Sequence, residues 1–386
     1  MNTGESHIAT KWLLTALSFI AVALCLSCIT ITQSPATPTP AAPPATPTYV
    51  ILTNIANPND PYYQAIDELQ RLRNGHVVRF EGTVKSALSE LKAIRPRYMA
   101  VAVKPEMIEE LFAYDIFTLA REIAGSTGVD LAYGFLTGAT AGDVLGYIQR
   151  IETWEREGKA KKATFRAYFS TGKGAFGGGL GTWGDKLTQG ELQVFTGLGM
   201  DSKRIDVSKV DDTTIIADMQ KAQRLYLHFF VHGSPTNLDD ISIDKIIGLG
   251  YPSVVFNSGC YGGCIGKWYN QSRPDMMENY KSKAVPIDSS KSLALRFLKS
   301  GCMAYFGHMR MTGDNSWVVE MTNSLAAAPK ATTGDLALAW YKKAGLSKQS
   351  KGESCPKDLD LAGFDCNLFN YSAVILVGDP ATRILP

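Results

Sequence analysis

The chain has 386 residues, 45% of them hydrophobic, and a formal net charge of +2. That length and apolar content suffice for one large core or two subdomains. The charge is spread along the chain, with no basic stripe interleaved with aromatics, so nucleic acid is excluded as the expected partner. Of seven cysteines, Cys25 and Cys28 fall in an N-terminal leader. The remaining odd number, in an exported chain, implies at least one free thiol, which suits a nucleophile plus one or two disulfides.

Residues 12–31 follow Lys11 and are almost continuously apolar. Such a stretch serves as a signal-peptide core or as a membrane anchor. Leu26-Ser27-Cys28 loosely resembles a lipoprotein cleavage box, with Cys25 standing where that box prefers Leu. Lipoprotein, plain signal and uncleaved anchor therefore all stay open for residues 1–28. Each of them implies export, to the cell surface or beyond it. Residues 29–48 form a linker whose QSPATPTPAAPPATPT run cannot build a core and reads as a semi-rigid tether.

From Tyr49 onward, strand and helix patterns alternate. Strands are expected at 49–55, 98–103, 131–135, 164–170, 225–231, 253–256, 302–306 and 373–377. Helices are expected at 61–73, 84–94, 142–157, 186–198, 213–223, 239–249, 289–299, 316–326 and 333–343. This alternation predicts an α/β fold, a mostly parallel sheet with helices on both faces. The folded domain spans 49–386, divided into an N-terminal subdomain (49–160) and a catalytic subdomain (161–386).

Two strand ends carry the chemistry. LYLHFFV at 225–231 stops at His232-Gly233-Ser234, and VVF at 254–256 stops at Asn257-Ser258-Gly259-Cys260-Tyr261-Gly262-Gly263. Glycines on both sides of Cys260 let the chain turn sharply and present the thiol at the carboxyl end of its strand. Sites of open α/β sheets form beyond those ends. Adjacent strands would bring His232 and Cys260 together as base and nucleophile. A core thiol has no need of such turn formers. A helix starting after the turn would lower the thiol pKa. His308 follows another strand and is the second candidate base, whereas His76 lies in an Asn-Gly turn far from the cysteine.

FFVHG (229–233), FNSGCYGG (256–263), SLALRFLKSGCMAYFG (292–307) with Asn315-Ser316-Trp317, and YSAVILVGDPATRI (371–384) together resemble the gingipain-like cysteine peptidases of the caspase-type clan. The resemblance covers residue 49 to the C-terminus, strongly after Leu225. It implies a caspase-like three-layer fold, with Cys260 as nucleophile, His232 as acid/base, and the amides of Gly233 and Cys260 as oxyanion hole. It also implies an acidic residue after the 164–170 strand, but residues 170–180 hold no Asp or Glu. His232 would then be oriented by a backbone carbonyl or another side chain. Trp317 matches a pocket-lining Trp of that family. Gly125-Ser126-Thr127 stands where Arg-cleaving members carry a pocket acid, so Ser126 and Thr127 predict a preference other than Arg, with Asp130 and Asp314 as the acids that could reverse it.

His228, His232, Cys260 and Cys264 have zinc-like pair spacings. Four residues along one strand separate the two histidine rings by roughly 13 Å, too far for one metal, and His228 reads as a core residue. GKGAFG at 172–177 matches a dinucleotide fingerprint, but no acidic residue follows at the expected distance. Cys355 and Cys366 bracket a loop with Asp358, Asp360 and Asp365, a disulfide candidate with carboxylates that could hold structural calcium. Cys264 and Cys302 read as packing residues and Gly-Asp-Pro at 378–380 as a structural turn.

The expected activity is peptide-bond hydrolysis through a Cys260 thioester, needing no cofactor and taking proteins or peptides as substrates. The alternative is a catalytically silent caspase-like domain tethered at the cell surface to bind peptides. A nucleotide-binding protein and a transpeptidase with the same Cys/His pair are the other rivals.

Overall fold

The computed structural model describes residues 48–384 except 126–127, 158–162, 172–179, 222–224, 239–240, 242–247, 250–252, 271–283, 312–315 and 345–365. The leader and all but the last residue of the linker lie outside it, as does almost all of the helix expected at 239–249. Residues Pro47–Pro386 make one compact unit.

The strands, in chain order, are β1 (Tyr49–Thr53), β2 (His76–Arg79), β3 (Tyr98–Ala102), β4 (Ala132–Leu136), β5 (Thr164–Phe169), β6 (Asp201–Asp206), β7 (Leu225–Phe230), β8 (Ser253–Asn257), β9 (Lys267–Trp268), β10 (Val285–Pro286), β11 (Cys302–His308) and β12 (Val374–Val377). Ten form one sheet in the order β2-β1-β3-β4-β12-β11-β8-β7-β5-β6, while β9 and β10 pair as a short ribbon. Neighbours β1 to β4 pair in parallel, as do β5 to β8 with β11, and β12 runs antiparallel to β11. The central strands are buried along their whole length, the signature of a sheet covered on both faces.

The helices are α1 (Tyr63–Arg73), α2 (Leu88–Ile94), α3 (Glu110–Ala124), α4 (Ala141–Glu157), α5 (Leu180–Gly197), α6 (Asp212–Lys221), α7 (Leu293–Lys299), α8 (Ser316–Ala327), α9 (Thr333–Ala344) and α10 (Cys366–Ser372). One layer packs α1 against α4 and α4 against α7; the other joins α2, α3, α10, α9, α8 and α5 in a chain of contacts. The α/β, three-layer expectation is met. Six elements are not among those expected: the helices α3 and α10, the short ribbon strands β9 and β10, and the strands β2 and β6. β2 and β6 are the edges of the sheet, and their polar sequences HVVR and DSKRID keep them from acting as templates for another chain.

The loops after β3, β8 and β11 gather at the carboxyl ends of those strands. Gly266 N donates to Ile108 O at 3.0 Å, and Arg310 Nε lies 3.8 Å from Glu110 Oε2. The Gly-Asp-Pro turn closes the antiparallel β12 at the opposite end of the strands. There the fully buried Asp379 carboxylate accepts from Tyr49 Oη at 2.6 Å, Arg73 Nε at 2.9 Å and Thr382 Oγ1 at 2.7 Å. Its backbone N–H donates to Tyr147 Oη at 2.7 Å. One carboxylate thus ties β1, α1 and the C-terminal turn together, with Arg73 compensating its charge.

Replacing Asp379 with Ala leaves Arg73 with Glu155 as its remaining carboxylate partner and removes the shared acceptor of Tyr49 and Thr382. The expected loss is about 1.5–3 kcal/mol in urea unfolding, the usual range for hydrogen bonds to a charged group. A midpoint unmoved by Asp379→Ala would show that the turn stands without its carboxylate.

Candidate active site

Strands β7 and β8 lie side by side in parallel, with Phe229 opposite Asn257, so their chains leave the sheet at the same level. Ser258 N donates to Phe229 O at 2.9 Å and carries the ladder one residue further. Beyond it the two loops touch through backbone. A Cβ built on Gly233 would stand 3.1 Å from both Cys260 O and Gly259 Cα, and one on Gly259 would stand 3.2 Å from Val231 O. His232 precedes Gly233 and Cys260 follows Gly259, so the two sequence-predicted reactive residues flank this contact. Both are half-buried, and Cys260 is in no disulfide.

The loop after β7 is itself pinned. Gly233 bridges Leu238 while Ser234 N donates to Asn237 O at 3.0 Å. In that pattern Gly233 is at a non-hydrogen-bonded position, its N–H directed away from the bridge. Leu293 N at the start of α7 donates to Pro235 O at 3.0 Å and anchors the far side.

The cysteine turn is held from several directions. Asn257 Oδ1 accepts from Gly259 N at 2.8 Å, and its Nδ2 donates to Tyr305 Oη at 2.6 Å. Tyr305 Oη in turn donates to Gly262 O at 2.7 Å. Gly262 must be glycine, because a Cβ there would fall 2.1 Å from Asn257 Nδ2. Tyr261, next to Cys260, sits in the left-handed region at φ +59°. Its N–H donates to Arg310 O at 3.0 Å and its ring meets Trp268 edge-on at 5.1 Å. Gly263 N donates to His308 O at 2.9 Å. The residues after Cys260 form a turn leading into β9, so no helix dipole begins there, contrary to expectation.

The other histidines part company here. His308 ends β11 and is largely buried, its Nδ1 accepting from Arg310 N at 3.1 Å. Its carbonyl and ring thus brace the turn. His228 lies wholly inside the core with Nδ1 2.7 Å from Glu191 Oε2 and Nε2 2.8 Å from Ser258 Oγ. Both ring nitrogens being engaged, it is a satisfied core residue, as expected. No group of three or more metal-ligating side chains occurs among the described residues.

Trp317 is fully buried in α8, with its ring 6.4 Å from that of Phe256, so it supports the floor of β8 and presents no open pocket wall. Ser126, Thr127 and Asp314 lie outside the described residues. The flanks of the Ser126-Thr127 stretch are described. α3 starts at Glu110 beside Arg310 and runs 15 residues to Ala124. Asp130 O accepts from Arg97 Nη1 at 3.5 Å, just before β3 begins. GKGAFG, Cys355, Asp358, Asp360 and Asp365 lie outside the described residues, as does the side chain of Cys366.

Burial separates the three described thiols. Desolvation pushes Cys302 up to about 12. It also pushes Cys264 well above the usual thiol range, with the Glu110 charge adding to the shift. Cys264 Sγ donates to Met309 O at 3.0 Å and Cys302 Sγ to Ala304 O at 2.8 Å. Both stay protonated at neutral pH and are packed away from reagent.

No protein-family model and no curated protein matches the chain. Solved structures do. The Arg-specific cysteine proteinase gingipain R is 11% identical with a TM-score of 0.58, over 89% of this chain and 80% of that one. The complex of Porphyromonas gingivalis RgpB pro- and mature domains is 12% identical with a TM-score of 0.57, over 87% and 80%. A structure described only as a protease gives 10% and 0.58, over 88% and 78%. The fold is that of the gingipain cysteine proteinases.

Iodoacetamide at pH 7–8 is expected to alkylate Cys260 in the folded protein while Cys264 and Cys302 react only after denaturation. Peptide mapping by mass spectrometry reads this directly. Equal labelling of Cys264 in the native state would contradict the burial described above.

Proposed function

We propose that the protein is an exported cysteine endopeptidase with Cys260 as nucleophile and His232 as general acid and base. The observation that carries this reading is the backbone contact of Gly233 with Gly259 and Cys260, which sets the imidazole-bearing and thiol-bearing loops against each other. The gingipain-type fold supports it at the level of the scaffold.

His232 takes the thiol proton, and Cys260 Sγ attacks the carbonyl carbon of a peptide bond. The amides of Gly233 and Cys260 receive the oxyanion, and the outward direction of the Gly233 N–H suits that role. As the C–N bond breaks, His232 returns the proton to the leaving amine. Water, deprotonated by His232, then hydrolyses the thioester and restores the thiol. The chemistry calls on no cofactor. Trp268, half-buried against Tyr261, is the aromatic surface beside the nucleophile that a substrate side chain would meet.

Digestion of a mixed peptide library by the wild type, with Cys260→Ala and His232→Ala as controls, tests chemistry and preference together. Cleavage by the wild type is expected to fall by orders of magnitude in both variants. A Cys260→Ala protein as active as wild type overturns the mechanism. A folded wild type inert both to the library and to electrophilic peptide probes would instead favour a silent peptide-binding domain.

A further inference from the structure

Three polar side chains that the proposed chemistry does not use form a continuous chain beneath the Cys260 turn. Glu191 on α5, His228 in the middle of β7 and Ser258 after β8 are exposed by 4%, 0% and 6% respectively. Nδ1 of His228 lies 2.7 Å from Glu191 Oε2 and Nε2 lies 2.8 Å from Ser258 Oγ. The other carboxylate oxygen, Glu191 Oε1, is buried without a hydrogen-bond partner among the described residues. Three elements far apart in sequence thus meet through two hydrogen bonds inside an aromatic core, with the His228 ring 6.2 Å from that of Phe230.

Such a chain is a poor device for stability. Apolar side chains of similar volume commonly replace buried polar networks without loss, and the orphaned Oε1 adds a further cost. What the chain supplies is direction. Successive residues leaving a strand point to opposite faces. Asn257 is held on the α7 face through Tyr305, whose ring lies 5.6 Å from that of Phe297. Ser258 is held on the opposite face through His228 and Glu191. The turn carrying Cys260 is therefore gripped from both sides of the sheet immediately before the nucleophile.

We propose that Glu191, His228 and Ser258 are positioning residues that fix the Cys260 turn in its reactive geometry, a role that rests on the peptidase reading above. Glu191 orients the imidazole, His228 holds the Ser258 hydroxyl, and Ser258 sets the direction in which the chain enters Gly259-Cys260.

The test compares wild type with Ser258→Ala, Glu191→Leu and their double variant, and with the polar replacements Ser258→Thr and Glu191→Gln. Measured quantities are kcat and KM on a cleaved peptide, the rate of Cys260 labelling by an electrophilic peptide, and the thermal midpoint. Ser258→Ala and Glu191→Leu are expected to lower kcat and labelling on the order of 10- to 100-fold, with KM held within about twofold. The double variant should lose no more than the worse single one, because both break the same chain. Ser258→Thr and Glu191→Gln should retain rates within about threefold of wild type, the hydroxyl and an acceptor oxygen being kept. Should Glu191→Leu not fold, Ser258→Ala with its Thr rescue carries the test alone. Wild-type kcat in Ser258→Ala, additive losses in the double variant, or losses that simply follow the thermal midpoint overturn the positioning role while leaving the peptidase reading intact. A wild type whose Cys260 ignores the peptide electrophile overturns both.

Discussion

Outside a hydrogen-bonded ladder, one backbone can press its Cα against another only where a side chain is missing, and Gly233 against Gly259 is such a place. A Cβ on Gly259 would come within 3.3 Å of Gly233 Cα, and one on Gly233 would press on the Cys260 carbonyl at 3.1 Å. Tertiary structure prepares the contact by making β7 and β8 parallel neighbours with a register that ends both strands at the same level. The glycines then let the loops close. His232 and Cys260 stand beside this contact because the glycines next to them have no side chains to hold the two loops apart.

The turn so formed is not relaxed. Tyr261 holds a left-handed φ of +59°, a region that bulky side chains avoid at a cost of about 1–3 kcal/mol. That cost is offset by specific partners: Arg310 O for its amide, Trp268 for its ring, and Tyr305 for the next carbonyl. Arg310 is in turn held by burial near Glu110 and by its guanidinium, 4.6 Å from the centre of the Phe369 ring. A strained backbone beside a half-buried cysteine, over-determined by its surroundings, is the arrangement expected where geometry matters more than local energy.

Much of this was legible in the chain. The apolar runs ending in His-Gly and in Asn-Ser-Gly-Cys announced both the buried strands and the loops that follow them. The Gly-Asp-Pro turn was readable as structural, and His228 as a core residue, because strand spacing alone ruled out a shared metal. Other parts were not. β2 and β6 carry too few apolar residues to announce themselves, since edge strands are selected to be polar. α3 lacks a clean polar face, with Glu110 buried among its apolar neighbours, yet the parallel pairing of β3 and β4 demands a crossover of that size. Glu191 gave no signal at all, because its partner lies 37 positions away on a different element.

The two ends of the strands are held differently. At one end a fully ligated carboxylate, Asp379, closes the C-terminal turn on Tyr49, Arg73 and Thr382. At the other, glycines and a strained tyrosine present a thiol. β12 connects them: its antiparallel pairing with β11 sets Ala373 O to accept from Met309 N at 2.8 Å. Met309 O then accepts from Cys264 Sγ, and Cys264 N donates back to Tyr261 O at 3.0 Å. The shape of the Cys260 turn therefore depends on the last strand of the chain being seated, and the Asp379 latch at the other end of that strand helps to seat it. The two ends are coupled through a single strand, which is how a rigid sheet can carry a strained loop.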